Sequence, residues 1–303
     1  MNFPFNNFIG ELAALSAAML WAISSVVYSR LGLSISPLQL NLYKGIIAIA
    51  LIVVTLTFQD TSLADLSLST FALLGFSGAI GIGLGDTAYF LALNSLGARR
   101  TLLLETSSPP MGALLALILI GEQLTSSSWC GILLTILGIT WVIGERNPID
   151  NVRASRQGIT WGILAAIAQA LGSVISRFAL VQSDVSPLAS SLIRLIGGTV
   201  IVICLISLPA NKQSQIQRQL PWRSLGIIAI AAFGSTYLGI WLQQTSLKFA
   251  PTGIAQTFLA TSPLFVLPIV ALQGEKISWR AIFGVMISLT GIGLMFVRRS
   301  FFI

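Results

Sequence analysis

Along the chain, apolar runs of about 20 residues alternate with short stretches in which charged residues, proline and glycine collect. A helix rising 1.5 Å per residue needs about 20 apolar residues to cross roughly 30 Å of hydrocarbon, so each run is long enough to span a bilayer. Ten such runs fit, over 9–29, 37–57, 71–95, 101–120, 127–144, 158–180, 188–208, 223–247, 252–272 and 279–297. The longest connections, near 58–70, 145–157 and 209–222, are too short for a catalytic or regulatory domain. The pattern predicts an all-α integral membrane protein of about ten transmembrane helices, a multi-pass protein of the cell (inner or plasma) membrane.

Composition agrees, with 55% hydrophobic residues, 9% charged residues and a mean hydropathy of +0.88. The net charge of +7 follows the membrane, not nucleic acid. Loops of one parity carry Arg30, Arg99, Arg100, Arg146, Arg153, Arg156, Lys212, Arg218, Arg223, Lys276 and Arg280, while the termini and the other loops carry Lys248, Arg298 and Arg299. Because cytoplasmic loops collect Lys and Arg, this bias places both termini outside the cytoplasm. The N-terminal run lacks a basic n-region and contains Glu11, so it reads as a retained span. Cys130 and Cys204 read as small packing residues, and the absence of histidine leaves no metal or cofactor motif.

An internal repeat organises the spans. Ser36-Pro37-Leu38 followed by Lys44 recurs as Ser186-Pro187-Leu188 followed by Arg194, an offset of 150. Pro110, Gly121-Glu122, Gly131 and Gly138 recur as Pro263, Gly274-Glu275, Gly284 and Gly291, an offset of 153. Five spans per copy is an odd number, so the second copy enters the membrane from the opposite side. The division is 1–147 for the first five-helix repeat, 148–157 for the connecting loop and 158–303 for the second, inverted repeat.

These motifs, with the run Gly85-Asp86-Thr87-Ala88-Tyr89-Phe90-Leu91-Ala92-Leu93 leading to Gly97-Ala98, resemble the EamA family of the drug/metabolite transporter superfamily over almost the whole chain. Its aromatic-Gly pair stands here as Trp21-Ala22 and, in the second copy, Leu171-Gly172. The resemblance implies a permease for amino acids, sugars or other metabolites, working as an exporter, with the Gly131/Gly138 and Gly284/Gly291 spans packed near the pseudo-axis.

Ionisable residues inside hydrocarbon are costly and are therefore candidate functional groups. Asp86 lies roughly 22 Å from one end of its span and about 13 Å from the other, too deep for a short side chain to reach water. It is the leading candidate for a substrate-amine ligand or proton carrier; the alternative is a packing pair with Lys44 or Arg177. Lys44 and Arg194, at repeat-equivalent positions, either pair with a carboxylate or attract an anionic group, and their long stems also allow snorkelling. Glu105 is shallower, and Tyr89 is a further candidate. Trp21, Ser24, Ser25 and Tyr28 make one polar face, and Gln169, Ser173 and Arg177 another; the two read as opposite walls of a cavity. Tyr237, Trp241 and Gln244 form an aromatic-amide stripe that suits ligand contact or packing. Glu122 and Glu275 read as caps or tethers of the short loops that follow them.

The expectation is a secondary transporter of a small metabolite such as an amino acid or related compound, exporting by alternating access with a proton gradient as the energy source, because no nucleotide-binding motif is present. A monomer suffices, and a dimer is compatible. The alternative is a non-transporting scaffold or subunit on the same framework. An intramembrane enzyme has only carboxylate pairs such as Asp86 and Glu105 to work with.

Overall fold

The computed structural model describes residues 8–31, 35–58, 66–96, 98–143, 155–208, 222–265, 268 and 278–297. Its long helices are α1 (Ile9–Leu31), α2 (Pro37–Phe58), α3 (Leu68–Leu96), α4 (Ala98–Glu105), α5 (Ser108–Ile120), α6 (Ser126–Ile143), α7 (Arg156–Val181), α8 (Pro187–Ser207), α9 (Trp222–Phe249), α10 (Thr252–Leu259) and α11 (Trp279–Val297). Among the described residues the regular structure is entirely helical. α2, α3, α7, α8 and α9 are long and apolar enough to cross a membrane, and α1, α5, α6 and α11 contain shorter apolar stretches. Arg146, Arg153, Lys212, Arg218, Lys276, Arg298 and Arg299, most of the connecting loop and the Gly274-Glu275 motif lie outside the described residues.

The Ser-Pro-Leu repeat is a helix-start signal. Ser36 Oγ accepts from the Gln39 amide at 3.3 Å and Ser186 Oγ from the Ala189 amide at 3.1 Å, while the proline takes the first helical position, where no N–H is required. At the other end of α5, Gly121 takes a φ of 68°, the left-handed cap that ends the helix and turns Glu122 back toward the protein.

Large apolar side chains face outward, with Ile118 75% and Ile230 78% exposed, whereas Ala14, Ala17, Ser173, Ser176, Ser190 and Ser191 are fully buried. This distribution suits a lipid exterior, where small residues let helices approach and hydroxyls find partners inside. Cys130 and Cys204 are both exposed, on the outward side of their helices, and are not the interior packing residues expected from sequence.

Glycine fixes the closest crossings. A Cβ on Gly138 would meet Gly284 O at 2.5 Å and one on Gly284 would meet Gly138 O at 2.8 Å; Gly131 and Gly291 oppose one another in the same way, at 2.8 and 2.7 Å. Partner numbers fall along α11 as they rise along α6, so the two helices run antiparallel. Between the glycine pairs, Thr135 Oγ1 donates to Ser288 O at 3.4 Å and Ser288 Oγ donates to Thr135 O at 3.2 Å. Thr135 and Ser288 are themselves related by the offset of 153. The other packing pairs exchange in the same sense: α1 lies on α9 and α7 on α3, α1 on α10 and α7 on α5, and α2 lies on α8.

Two features depart from the expected straight spans. α3 and α9 each contain a π-helical segment, Ala79–Gly85 and Phe233–Leu238, at repeat-related places. The expected spans 101–120 and 252–272 are not continuous helices. α4 ends at Glu105 and α5 starts at Ser108, while α10 ends at Leu259 and the chain turns at Ala260 and Thr261. Proline supplies the reason, since Pro109, Pro110 and Pro263 lack an N–H and their rings clash with the carbonyl four residues earlier.

Candidate substrate cavity

A cavity of about 210 Å³ lies between the two copies. α1 contributes Trp21, Ser24, Ser25 and Tyr28; α2 contributes Lys44; α3 contributes Asp86, Tyr89 and Phe90 beside Gly81 and Gly85. The second copy adds Gln169 from α7, Arg194 from α8, and Ser235, Thr236 and Gln243 from α9. Both helix breaks reach it, through Glu105, Thr106 and Ser108 on one side and Leu259, Ala260 and Ser262 on the other.

Asp86 begins the α-helical turn that follows the π segment of α3. A π turn inserts one residue, so its carbonyls need other partners. Asn41 Nδ2 donates to Ile82 O at 3.0 Å, and at the repeat-equivalent place in α9 Trp21 Nε1 donates to Ser235 O at 2.8 Å. The same α1 face is stitched to α9 by Tyr28 Oη, which shares a 2.9 Å hydrogen bond with Ser235 Oγ. Gly239 makes room for the indole, because a Cβ there would lie 2.5 Å from Trp21 Nε1.

Lys44 Nζ forms an ion pair with Asp86 Oδ2, and the ammonium also sits 5.1 Å from the Phe90 ring centroid. The Lys44 side chain is 8% exposed and that of Asp86 31%, so the pair is internal with its acid open to the cavity. Of the packing alternatives for Asp86, the Lys44 pair is the one present, and the snorkelling route for Lys44 is not taken. Tyr28 and Tyr89 pack edge-on against Phe90 at 5.9 and 5.7 Å, completing an aromatic wall around the pair. Glu105, expected to be shallow, faces the same cavity because the break after it turns the chain inward.

Five expected contacts lie elsewhere. Arg177 is not a cavity wall: its Nε donates to Glu122 Oε1 at 3.1 Å, and its Nη1 donates to the carbonyls of Leu247 and Lys248, each at 2.7 Å. Glu122 Oε2 accepts from the Thr252 amide at 2.7 Å, so this carboxylate ties α5 to α7 and α10 and reaches well beyond the loop it was expected to tether. Ser173 is fully buried because Gly172, beside it, lies against α3, where its Cβ would meet Gly81 Cα at 3.0 Å. Tyr237 hydrogen-bonds Thr55 on α2 at 2.8 Å and packs with Trp241 in the apolar core. Gln244 is fully buried and accepts from Ser176 at 2.5 Å and Ser190 at 2.9 Å.

Besides Ser235, α9 lines the cavity with Thr236, Ile240 and Gln243, each one position before the expected Tyr237, Trp241 and Gln244. One residue is about 100° of helix rotation, so the expected stripe was the neighbouring face. Gln256 was missed as well; its Oε1 accepts from Ser108 Oγ at 2.6 Å, joining the two broken helices. Its signal in the sequence is position, one helical turn before the turn at Ala260 that precedes Pro263.

A family model for the EamA-like transporter family matches residues 8–144 and, a second time, residues 156–297. The chain belongs to the EamA-like transporter family. As an EamA-like protein it is an integral membrane transporter, and the two matches correspond to two copies of one repeat. It is similar to an uncharacterized transporter of Archaeoglobus fulgidus, 24% identical over 287 residues that cover 94% of this chain and 96% of the relative. A solved crystal structure of a protein shares the fold of this chain with a TM-score of 0.78 at 15% identity, covering 96% of this chain and 98% of the other.

The tether makes a checkable expectation. Glu122→Gln removes the charge from a nearly buried pair, whose Arg177 and Glu122 side chains are 15% and 13% exposed. A loss of about 1–3 kcal/mol is expected, read as a lowered Tm of the protein in detergent, because the backbone amide of Thr252 also loses its charged acceptor.

Proposed function

We propose that this EamA-family protein carries a small metabolite, such as an amino acid or a related compound, out of the cell across the cell membrane by alternating access between two inverted five-helix halves. The halves are 1–147 and 158–303, joined by 148–157, and each broken span counts once, which gives ten crossings. The antiparallel packing of α6 on α11 and the mutual Thr135 and Ser288 hydrogen bonds favour the inversion. Two nearly equivalent packings of such halves are the physical basis of alternation.

The observation that carries the reading is the cavity between the copies, where an internal Lys44–Asp86 pair and both helix breaks meet. Discontinuous helices offer free backbone groups to a solute without exposing them to lipid. A volume of about 210 Å³ is below the ~300–1,000 Å³ of pockets for drug-sized ligands, which fits an occupant of metabolite size. The Lys44–Asp86 pair is the group proposed to exchange a proton during the cycle. Export rests on the family resemblance, and the proton gradient as energy source on the lack of a nucleotide-binding motif in the sequence.

Flux of a panel of radiolabelled amino acids, sugars, amides and amines into proteoliposomes, with and without an imposed pH gradient, tests this. Transport of at least one compound, responsive to the gradient, is expected; no flux of any would favour a scaffold on the same framework. A wet cavity makes a second expectation, with Cys130 and Cys204 first replaced by alanine. Ser25→Cys on the cavity wall reacts with a water-soluble maleimide, whereas Ser173→Cys, fully buried, does not. Equal protection of both from either side of the membrane would overturn the cavity.

A further inference from the structure

We infer that Arg194 and Gln243 form a subsite for the carboxylate group of the transported solute, an assignment that rests on the transporter reading and names the chemistry it selects. Of the basic residues in the cavity wall, Lys44 is already engaged by Asp86. Arg194 forms no ion pair among the described residues. Its Nη1 donates weakly, at 3.4 Å, to Gln243 Oε1, and its Nε is buried without a partner. Gln243 is in the same condition, 3% exposed with its Nε2 donor unpartnered. Two neighbouring side chains that both line the cavity thus keep a buried N–H each with nothing to accept it.

Buried donors are almost always satisfied, and a buried cation with no ion-pair partner is the costliest kind of exception; Asp86 acts on Arg194 through space, but its carboxylate is engaged by Lys44. What is lacking is an acceptor that brings negative charge. A carboxylate fits, since its two oxygens take the two N–H groups of a planar guanidinium fork side by side. The guanidinium is held in place. Nη2 packs against Gly81, where a Cβ would come within 3.1 Å of it, and the backbone of Arg194 is pressed on Gly78, so α3 braces the residue at both ends.

The informative variant supplies the missing charge from within. Gln243→Glu keeps the side chain's shape and gives Arg194 a resident carboxylate, so it is expected to raise the Tm of the unliganded protein while closing the subsite to solutes. The probes are 3-phenylpropanoate and its amide, succinate and succinamide, added at millimolar concentration to the full-length protein in detergent and followed by Tm and by tryptophan fluorescence, Trp21 being in the wall. In the parent protein the acids are expected to bind and the amides not. In Gln243→Glu and in Arg194→Gln the affinity for acids falls by about tenfold to a hundredfold, the span of a lost hydrogen bond to a charged group.

Absence of any response to the acids, equal responses to acids and amides, or an acid response unchanged in Gln243→Glu each overturns the subsite. Arg194→Gln is read only alongside Gln243→Glu, which is expected to fold whatever Arg194→Gln does. The same compounds in the proteoliposome assay separate the two claims. Flux indifferent to the carboxylate removes the subsite and leaves the transporter reading standing; Arg194-dependent acid binding with no flux of any compound does the reverse.

Discussion

Gly78→Ala is expected to abolish recovery of folded protein, whereas Gly75→Ala, one turn earlier on the same helix, is expected to be harmless. A Cβ on Gly78 would lie 1.9 Å from Arg194 O and 2.5 Å from its C and Cα, all backbone atoms that no rotamer change can move. α8 would have to retreat from α3, and this would also open the neighbouring close approach of Gly197 to Gly75, where a Cβ on Gly197 would lie 2.2 Å from Gly75 O. A cost above about 4 kcal/mol follows, in the range reached only by changes that break a core or its backbone packing. A Cβ on Gly75 meets nothing within 4 Å, and alanine is about 0.5–1 kcal/mol better than glycine in a helix. Size-exclusion profiles and Tm in one detergent check both variants; equal stability of Gly78→Ala and its parent would refute the α3–α8 crossing.

The second large effect concerns the Lys44–Asp86 pair, where structure and transport must be separated. Asp86→Ala strands Lys44, 8% exposed at its side chain, and is expected to cost on the order of 3–5 kcal/mol through the buried, uncompensated charge. Lys44→Met combined with Asp86→Asn removes both charges, so its Tm should recover most of that loss. Flux should not recover. At least a tenfold loss is expected in Asp86→Asn and in the double variant alike, because both lack the acid that faces the cavity. A double variant that regains Tm and flux together would leave the pair a packing device and remove it from the transport cycle.

The sequence made the helical membrane class legible because hydropathy over 20 residues is a coarse signal that local detail does not disturb. The Ser-Pro-Leu and glycine repeats were equally legible, since each encodes a local demand, a helix cap or a close crossing, that the structure meets in place. Facing direction was less so. In α1, an uninterrupted helix, Trp21, Ser24, Ser25 and Tyr28 line the cavity as their spacing predicts. In α9 the expected Tyr237, Trp241 and Gln244 and the observed Thr236, Ile240 and Gln243 share one four-and-three spacing, so periodicity did not choose between two neighbouring faces, and the aromatic rings pointed to the wrong one. Arg177 failed for a different reason. Its partners, Glu122 and two carbonyls of α9, are 55 to 71 positions away, and no pattern local to α7 announces them. Glu105 was underrated because a straight helix was assumed where tandem prolines break one.

The paired hydrogen bonds between Thr135 and Ser288 have a consequence for motion. Under the proposed cycle, each half adopts in turn the conformation the other has just left. Most contacts between the halves must then be exchanged for their counterparts, but a contact joining two equivalent residues is its own counterpart. Thr135 donating to Ser288 and Ser288 donating to Thr135 read the same before and after the halves trade places. Under that cycle the α6–α11 seam is expected to act as a pivot whose bonds need not be broken and remade, and the barrier is expected at junctions such as Glu122 with Arg177, which join residues that are not repeat equivalents.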